Sequence, residues 1–160
     1  MPDLKIARSD TRVTETPNAS MTTLASPTQG GTTTVSLWRV VMHAGQQGPQ
    51  HSFDSEQAWH VLDGAATVAV DDETVDLSAG DTVVLRADAS RRVSTASGAE
   101  FVVTGLAGAL ATPISPEGPG EPVSPPPGSD SPLRPASTTC PLPDGGGATR
   151  GHRAGAVART

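Results

Sequence analysis

The sequence holds one cysteine, Cys140, among its 160 residues, and no tyrosine. A lone thiol excludes an intrachain disulfide and any metal site built on paired cysteines. A chain that needs no disulfide suits a reducing compartment, so a cytoplasmic location is expected. No run reaches the roughly 18 apolar residues that a membrane-spanning helix needs. The opening MPDLKIARSDTRV has no apolar stretch of the secretory kind. These lacks lead to the expectation of a soluble, unsecreted protein with no membrane partner.

Basic side chains are also in short supply, 11 against 17 acidic ones, for a net charge of −6. The two signs balance within 1–20 and within 111–160, so the whole acidic excess belongs to 21–110. An acidic domain repels phosphate backbones, which argues against a nucleic-acid partner. The same charge serves a small domain as a solubility reserve. Arg91 and Arg92 make no basic patch, because neighbours on a strand face opposite sides.

Aromatics are the third scarcity. Trp38, Phe53, Trp59 and Phe101 are the full set, and all lie between 38 and 101. The core is expected there. Beyond residue 110 the composition changes: 111–160 carries eleven of the 15 prolines and eight of the 17 glycines. It has no alternating apolar run, so it cannot bury enough surface to offset its ordering entropy. A disordered Pro/Gly-rich tail is expected over 111–160. Its SPPPG could present a polyproline ligand, although a solvated linker is the simpler reading. Residues 1–20 read as a polar arm in which KIARSDTRV is an edge strand or a mobile stretch. The domain is expected at 21–110.

What that domain does have is a series of short β-branched runs. TTTVSLWRVVMH (32–43), EQAWHVLDG (56–64), AATVAV (65–70), VDL (75–77), TVVLRA (82–87), RRVSTA (91–96) and FVVTGLA (101–107) are separated by turn-forming stretches. No segment has helical periodicity. Strands recurring every 8–12 residues or so predict an all-β sandwich or barrel. A core of Val, Ala, Leu and Thr is light, so pairing through a sheet edge into a homodimer is expected. The acidic turn DDE (71–73) reads as solvated surface. Ser52 and Ser55 lack the strand-to-helix setting of a catalytic serine.

The stretch 45–64 resembles the first motif of the cupin superfamily. That motif runs glycine, five residues, His-x-His, three or four residues, glutamate, six residues, glycine. Gly45, His51 and Gly64 stand in register, whereas Phe53 takes the second histidine position and Gln57 the glutamate position. In the second motif, Gly80-Asp81 opens the pattern. Arg86, Asp88 and Arg91 then stand where the family has proline, glycine and histidine. The resemblance covers roughly 21–110 and implies a jelly-roll β-barrel.

In the family, three imidazoles and a carboxylate hold one divalent metal inside the barrel. Carried over by position, only His51 keeps a true ligand type. Phe53 has no lone pair, Gln57 offers only a neutral carbonyl, and Arg91 puts a permanent cation near the metal's place. Strand alternation points Trp59 inward with Gln57, and His60 outward. His43 has no assigned face, and Glu56 should face away from Gln57.

The leading expectation is a pocket lined by His51, Phe53, Gln57, Trp59 and Arg91, without a conventional metal. It would bind a small molecule, with an anion among the candidates because Arg91 could meet a carboxylate. The competing structural reading makes His51 and Arg91 merely hydrogen-bonded or ion-paired framework. Two alternatives stay open for the function. One is a metal-dependent oxidoreductase of dioxygenase type, with Fe, Mn, Ni or Zn held by His51, Gln57 and a nonstandard partner. The other is a non-enzymatic dimeric interaction or sensor module. No acid/base pair in the sequence specifies a reaction.

Overall fold

The computed structural model of the protein describes residues 4–124. They form eleven strands: β1 (Arg12–Glu15), β2 (Ala19–Ala25), β3 (Val35–Met42), β4 (His51–Phe53), β5 (Gln57–Val70), β6 (Glu73–Ser78), β7 (Thr82–Leu85), β8 (Arg91–Ser94), β9 (Ala99–Leu106), β10 (Ala111–Ser115) and β11 (Gly118–Pro119). Helical structure among the described residues is one 3-10 turn, Arg8–Asp10. No helix among them is long and apolar enough to cross a membrane. The expected all-β jelly-roll class is what the chain adopts. Hydrogen-bonded order runs β1-β2-β3-β9-β5-β8-β4-β10-β11, with β6 and β7 also paired to β5.

The long strand β5 organises this barrel. Its first half pairs with β7 and β9, and its second half pairs with β6 and β8. Two sheets therefore share one strand, which turns a corner where the β9 register shifts between Val61 and Asp63. Gly64 sits at that corner with φ +75, and a Cβ there would strike the Gly98 carbonyl oxygen. Only glycine tolerates both conditions. The strand end expected at Asp63-Gly64 is instead a bend in one continuous strand, because a bulge keeps the pairing alive through the corner.

Alternation then builds the core. On β3, Ser36, Trp38, Val40 and Met42 are buried, and on β9 Ala99, Phe101 and Val103 are. On β5, Gln57, Trp59 and Val61 point the same way, with Trp59 meeting Phe101 edge-on at 5.3 Å between ring centres. Such a pair favours this geometry because the ring edge is positive and the face negative.

The ordered fold overruns both expected boundaries. Of the two readings of KIARSDTRV, the edge strand is the one adopted: β1 pairs with β2 at the sheet edge, and β2 begins at Ala19, ahead of the expected boundary, and pairs with β3. Residues 111–160 are not tail throughout. β10 pairs with β4 through Ala111–Phe53, Thr112–Ser52 and Pro113–His51. Proline is tolerated in β10, and Pro113 still accepts a hydrogen bond through its carbonyl, from Gly120 N at 2.7 Å. The expectation of disorder for 125–160, and Cys140 with it, lies outside the described residues.

Candidate functional site

The barrel holds a partly open cavity of about 430 Å³ with mostly apolar walls. Trp38, Val40 and Met42 of β3, Met21 of β2 and Trp59 of β5 line it from one sheet, and Val93 of β8 lines it from the other. Thr16, Pro17 and Asn18, from the β1–β2 turn, and Ala111, Pro113 and Val123 also line it. The polar groups of the expected pocket gather on β4, β5 and β8.

His51 and Arg91 are direct partners across the β4–β8 pairing, so both side chains leave the same face. Phe53, two residues on, is buried beside them. Its ring lies 5.3 Å from the His51 ring centre and 5.3 Å from the Arg91 guanidinium carbon. Arg91 and Gln57 are each 1% exposed. Arg91 Nη1 donates to Gln57 Oε1 at 3.1 Å, Nη2 to the Arg86 carbonyl at 3.0 Å, and Nε to the Ala89 carbonyl at 3.4 Å. Trp59 Nε1 donates to the same Gln57 oxygen at 3.1 Å. Gln57 Nε2 is buried and has no hydrogen-bond partner.

Two pKa values are perturbed here. Burial pushes Arg91 down to about 10, with Asp71 opposing the shift. It therefore stays cationic at neutral pH. Burial also holds His51 below its ordinary 6.5; a hydrogen bond to the Pro49 carbonyl opposes this, and the Arg91 charge adds to it. His51 Nδ1 lies 2.9 Å from that carbonyl. A carbonyl only accepts, so Nδ1 carries the proton and Nε2 is left as an acceptor.

Of the five residues expected in the pocket, His51, Phe53, Gln57 and Trp59 line the cavity. Arg91 does not: it lies beside Phe53 and Gln57, with three of its five N–H groups bonded to carbonyl oxygens. This is a correction, because strand direction alone placed it inside without revealing what would cover it. His60 instead meets Thr82 Oγ1 at 2.8 Å. His43 and Glu56 are exposed. Missed in the sequence were Met21, Trp38, Val40 and Met42, although the alternation of Trp38, Val40 and Met42 was legible in 32–43. Nothing in the sequence signalled the contributions from 16–18 and 111–123.

The donor set does not fit a divalent metal. Both lone pairs of Gln57 Oε1 already accept from Trp59 and Arg91. Phe53 offers none, and Arg91 brings a positive charge. That leaves His51 Nε2 as a single ligand, where such ions need several. Among the described residues, no group of three His, Cys, Asp or Glu side chains is placed to hold a metal.

A protein-family profile described as Cupin domain matches residues 38–105. No curated protein matches the sequence. Several solved structures share the fold. An RmlC-like cupin from Shewanella frigidimarina superposes with a TM-score of 0.55 at 18% identity, covering 63% of this chain and 87% of that one. A variant of Bacillus subtilis oxalate decarboxylase gives 0.58 at 16% identity, over 63% of this chain and 28% of that one. Salicylate 1,2-dioxygenase from Pseudoaminobacter salicylatoxidans gives 0.53 at 20% identity, over 59% of this chain and 26% of that one.

Proposed function

From the match of a Cupin domain profile to residues 38–105 we propose that the barrel binds a small, mostly apolar organic molecule without a resident metal ion. The observation that carries the reading is the exchange at the ligand positions. Phe53 and Arg91 stand where the family has histidines, and Arg91 consumes the oxygen of Gln57. The cavity itself is open to an occupant, at about 430 Å³, within the range of small-molecule sites. A scaffold role alone would call for a barrel filled by its own side chains, which favours binding over the interaction-module reading. Among the residues lining the cavity, His51 is the one titratable side chain. Any proton transfer inside the barrel would therefore pass through its Nε2.

The metal-dependent dioxygenase reading rests on fold likeness, and the donor set speaks against it. Metal analysis of the purified protein tests the choice. We expect substoichiometric Fe, Mn, Ni and Zn. The combined variant Phe53→His, Gln57→Glu, Arg91→His restores the family's ligand types, and it should gain a divalent-ion affinity measurable by calorimetry. Near-stoichiometric metal in the natural protein, lost on His51→Ala, would overturn the proposal.

A further inference from the structure

Gln57 is a buried amide whose two ends are treated differently. Its oxygen has two lone pairs, and two donors occupy them, Trp59 Nε1 and Arg91 Nη1, each at 3.1 Å. Neither of those groups can accept a hydrogen bond. Turning the amide over would set its N–H groups against two N–H donors, so the network allows one orientation. The nitrogen is left with two N–H donors, no hydrogen-bond partner and almost no exposed surface. A buried donor in that state is unfavourable, and buried polar groups in folded proteins nearly always find partners.

Other features hold the group ready. Gly105 stands directly opposite Gln57 in the β5–β9 pairing, and a Cβ there would come within 3.1 Å of Gln57 Cγ. A larger residue would displace the amide. The Arg91 charge, drawing on the amide oxygen, makes the N–H groups stronger donors. Gln57 also lines the cavity, whose walls are mostly apolar, with Thr16, Asn18, Gln50 and His51 as the other polar side chains.

We propose that Gln57 is the recognition group of the barrel, and that its Nε2 receives the carbonyl oxygen of a neutral, mostly apolar ligand such as a ketone, ester or amide. This rests on the reading of the barrel as a small-molecule site. A carboxylate fits less well. It needs several donors once stripped of water, Arg91 does not line the cavity, and the neutral His51 presents an acceptor.

Three probes of similar shape test this: cyclohexyl methyl ketone, its alkene counterpart isopropenylcyclohexane, and cyclohexanecarboxylate. Binding is followed by NMR, from the Gln57 side-chain amide and the Trp38 and Trp59 indole signals. We expect the ketone to bind at least tenfold more tightly than the alkene and to shift the Gln57 amide, with the carboxylate weakest. Gln57→Glu keeps an oxygen for Trp59 and Arg91 but removes the donor, so it should erase the preference for ketone over alkene. If ketone and alkene bind the natural protein equally, or the carboxylate binds best, the carbonyl assignment fails while the barrel remains a binding site. If none of the three binds, the binding-site reading fails together with it. The natural-protein comparison decides the matter even if the variant does not fold.

Discussion

Arg91 is a cation buried in the barrel wall, held by the oxygens of Gln57, Arg86 and Ala89. Removing it strips those acceptors of a charged donor, and the Gln57 oxygen is buried from water that could replace it. Hydrogen bonds of this kind contribute about 1.5–3 kcal/mol, and orphaned acceptors add to the loss. Arg91→Leu should therefore lower the unfolding free energy by about 2–4 kcal/mol in urea denaturation. His51 makes a separate prediction. Its folded pKa lies below 6.5 because of burial, so the unfolded chain takes up that proton first as pH falls. Between the two values the unfolded state binds more protons, and stability drops with pH. Its contribution is full above 6.5 and is lost as pH falls through the folded pKa. Urea midpoints should decline through this window in the natural protein and decline less in His51→Gln. Coincident profiles would mean that the imidazole is not held neutral. At this scale the types of the changed ligands were legible in the motif, but not that Arg91 would turn its N–H groups to backbone carbonyls.

Among the elements, β5 matters most because it belongs to both sheets. Its corner depends on Gly64, with φ +75 beside the Gly98 carbonyl. Gly64→Ala adds a left-handed penalty to a backbone clash, and strained positions of this sort cost about 1–3 kcal/mol each. Thermal and urea unfolding should show a loss of at least about 2 kcal/mol. At Gly80, with φ +95, an added Cβ would meet only open space, so Gly80→Ala should cost the conformational part alone. The sequence exposed β3 and β9 through alternation over eight residues. It hid β4, because three residues are too few for a period to register, and the same holds for β11.

For the whole molecule, parts of the segments read as arm and tail turn out to line the cavity. A chain ending at Leu110 would lose β10, the neighbour of β4, and with it Ala111, Pro113 and Val123 from the cavity lining. It should melt lower by at least about 5 °C, given the few degrees that each kcal/mol is worth in a domain of this size. It should also bind cavity ligands more weakly. Unchanged melting and binding would show that β10 is dispensable. Homodimerisation through a sheet edge stays a proposal, to be read from sedimentation of the full chain.

The sequence by itself determined the all-β class, the cupin frame of Gly45, His51, Gly64 and Gly80, and the altered chemistry at 53, 57 and 91. These follow from local rules: strand alternation, turn glycines and the lone pairs each side chain owns. Tertiary structure alone decided which groups are free. Trp59 and Arg91 converge on one oxygen of Gln57, and this leaves its nitrogen without a partner. Arg91 is excluded from the cavity lining, whereas residues 16–19 and Ala111, Pro113 and Val123 join it. Those outcomes depend on contacts between residues far apart in the chain, for which no local pattern exists.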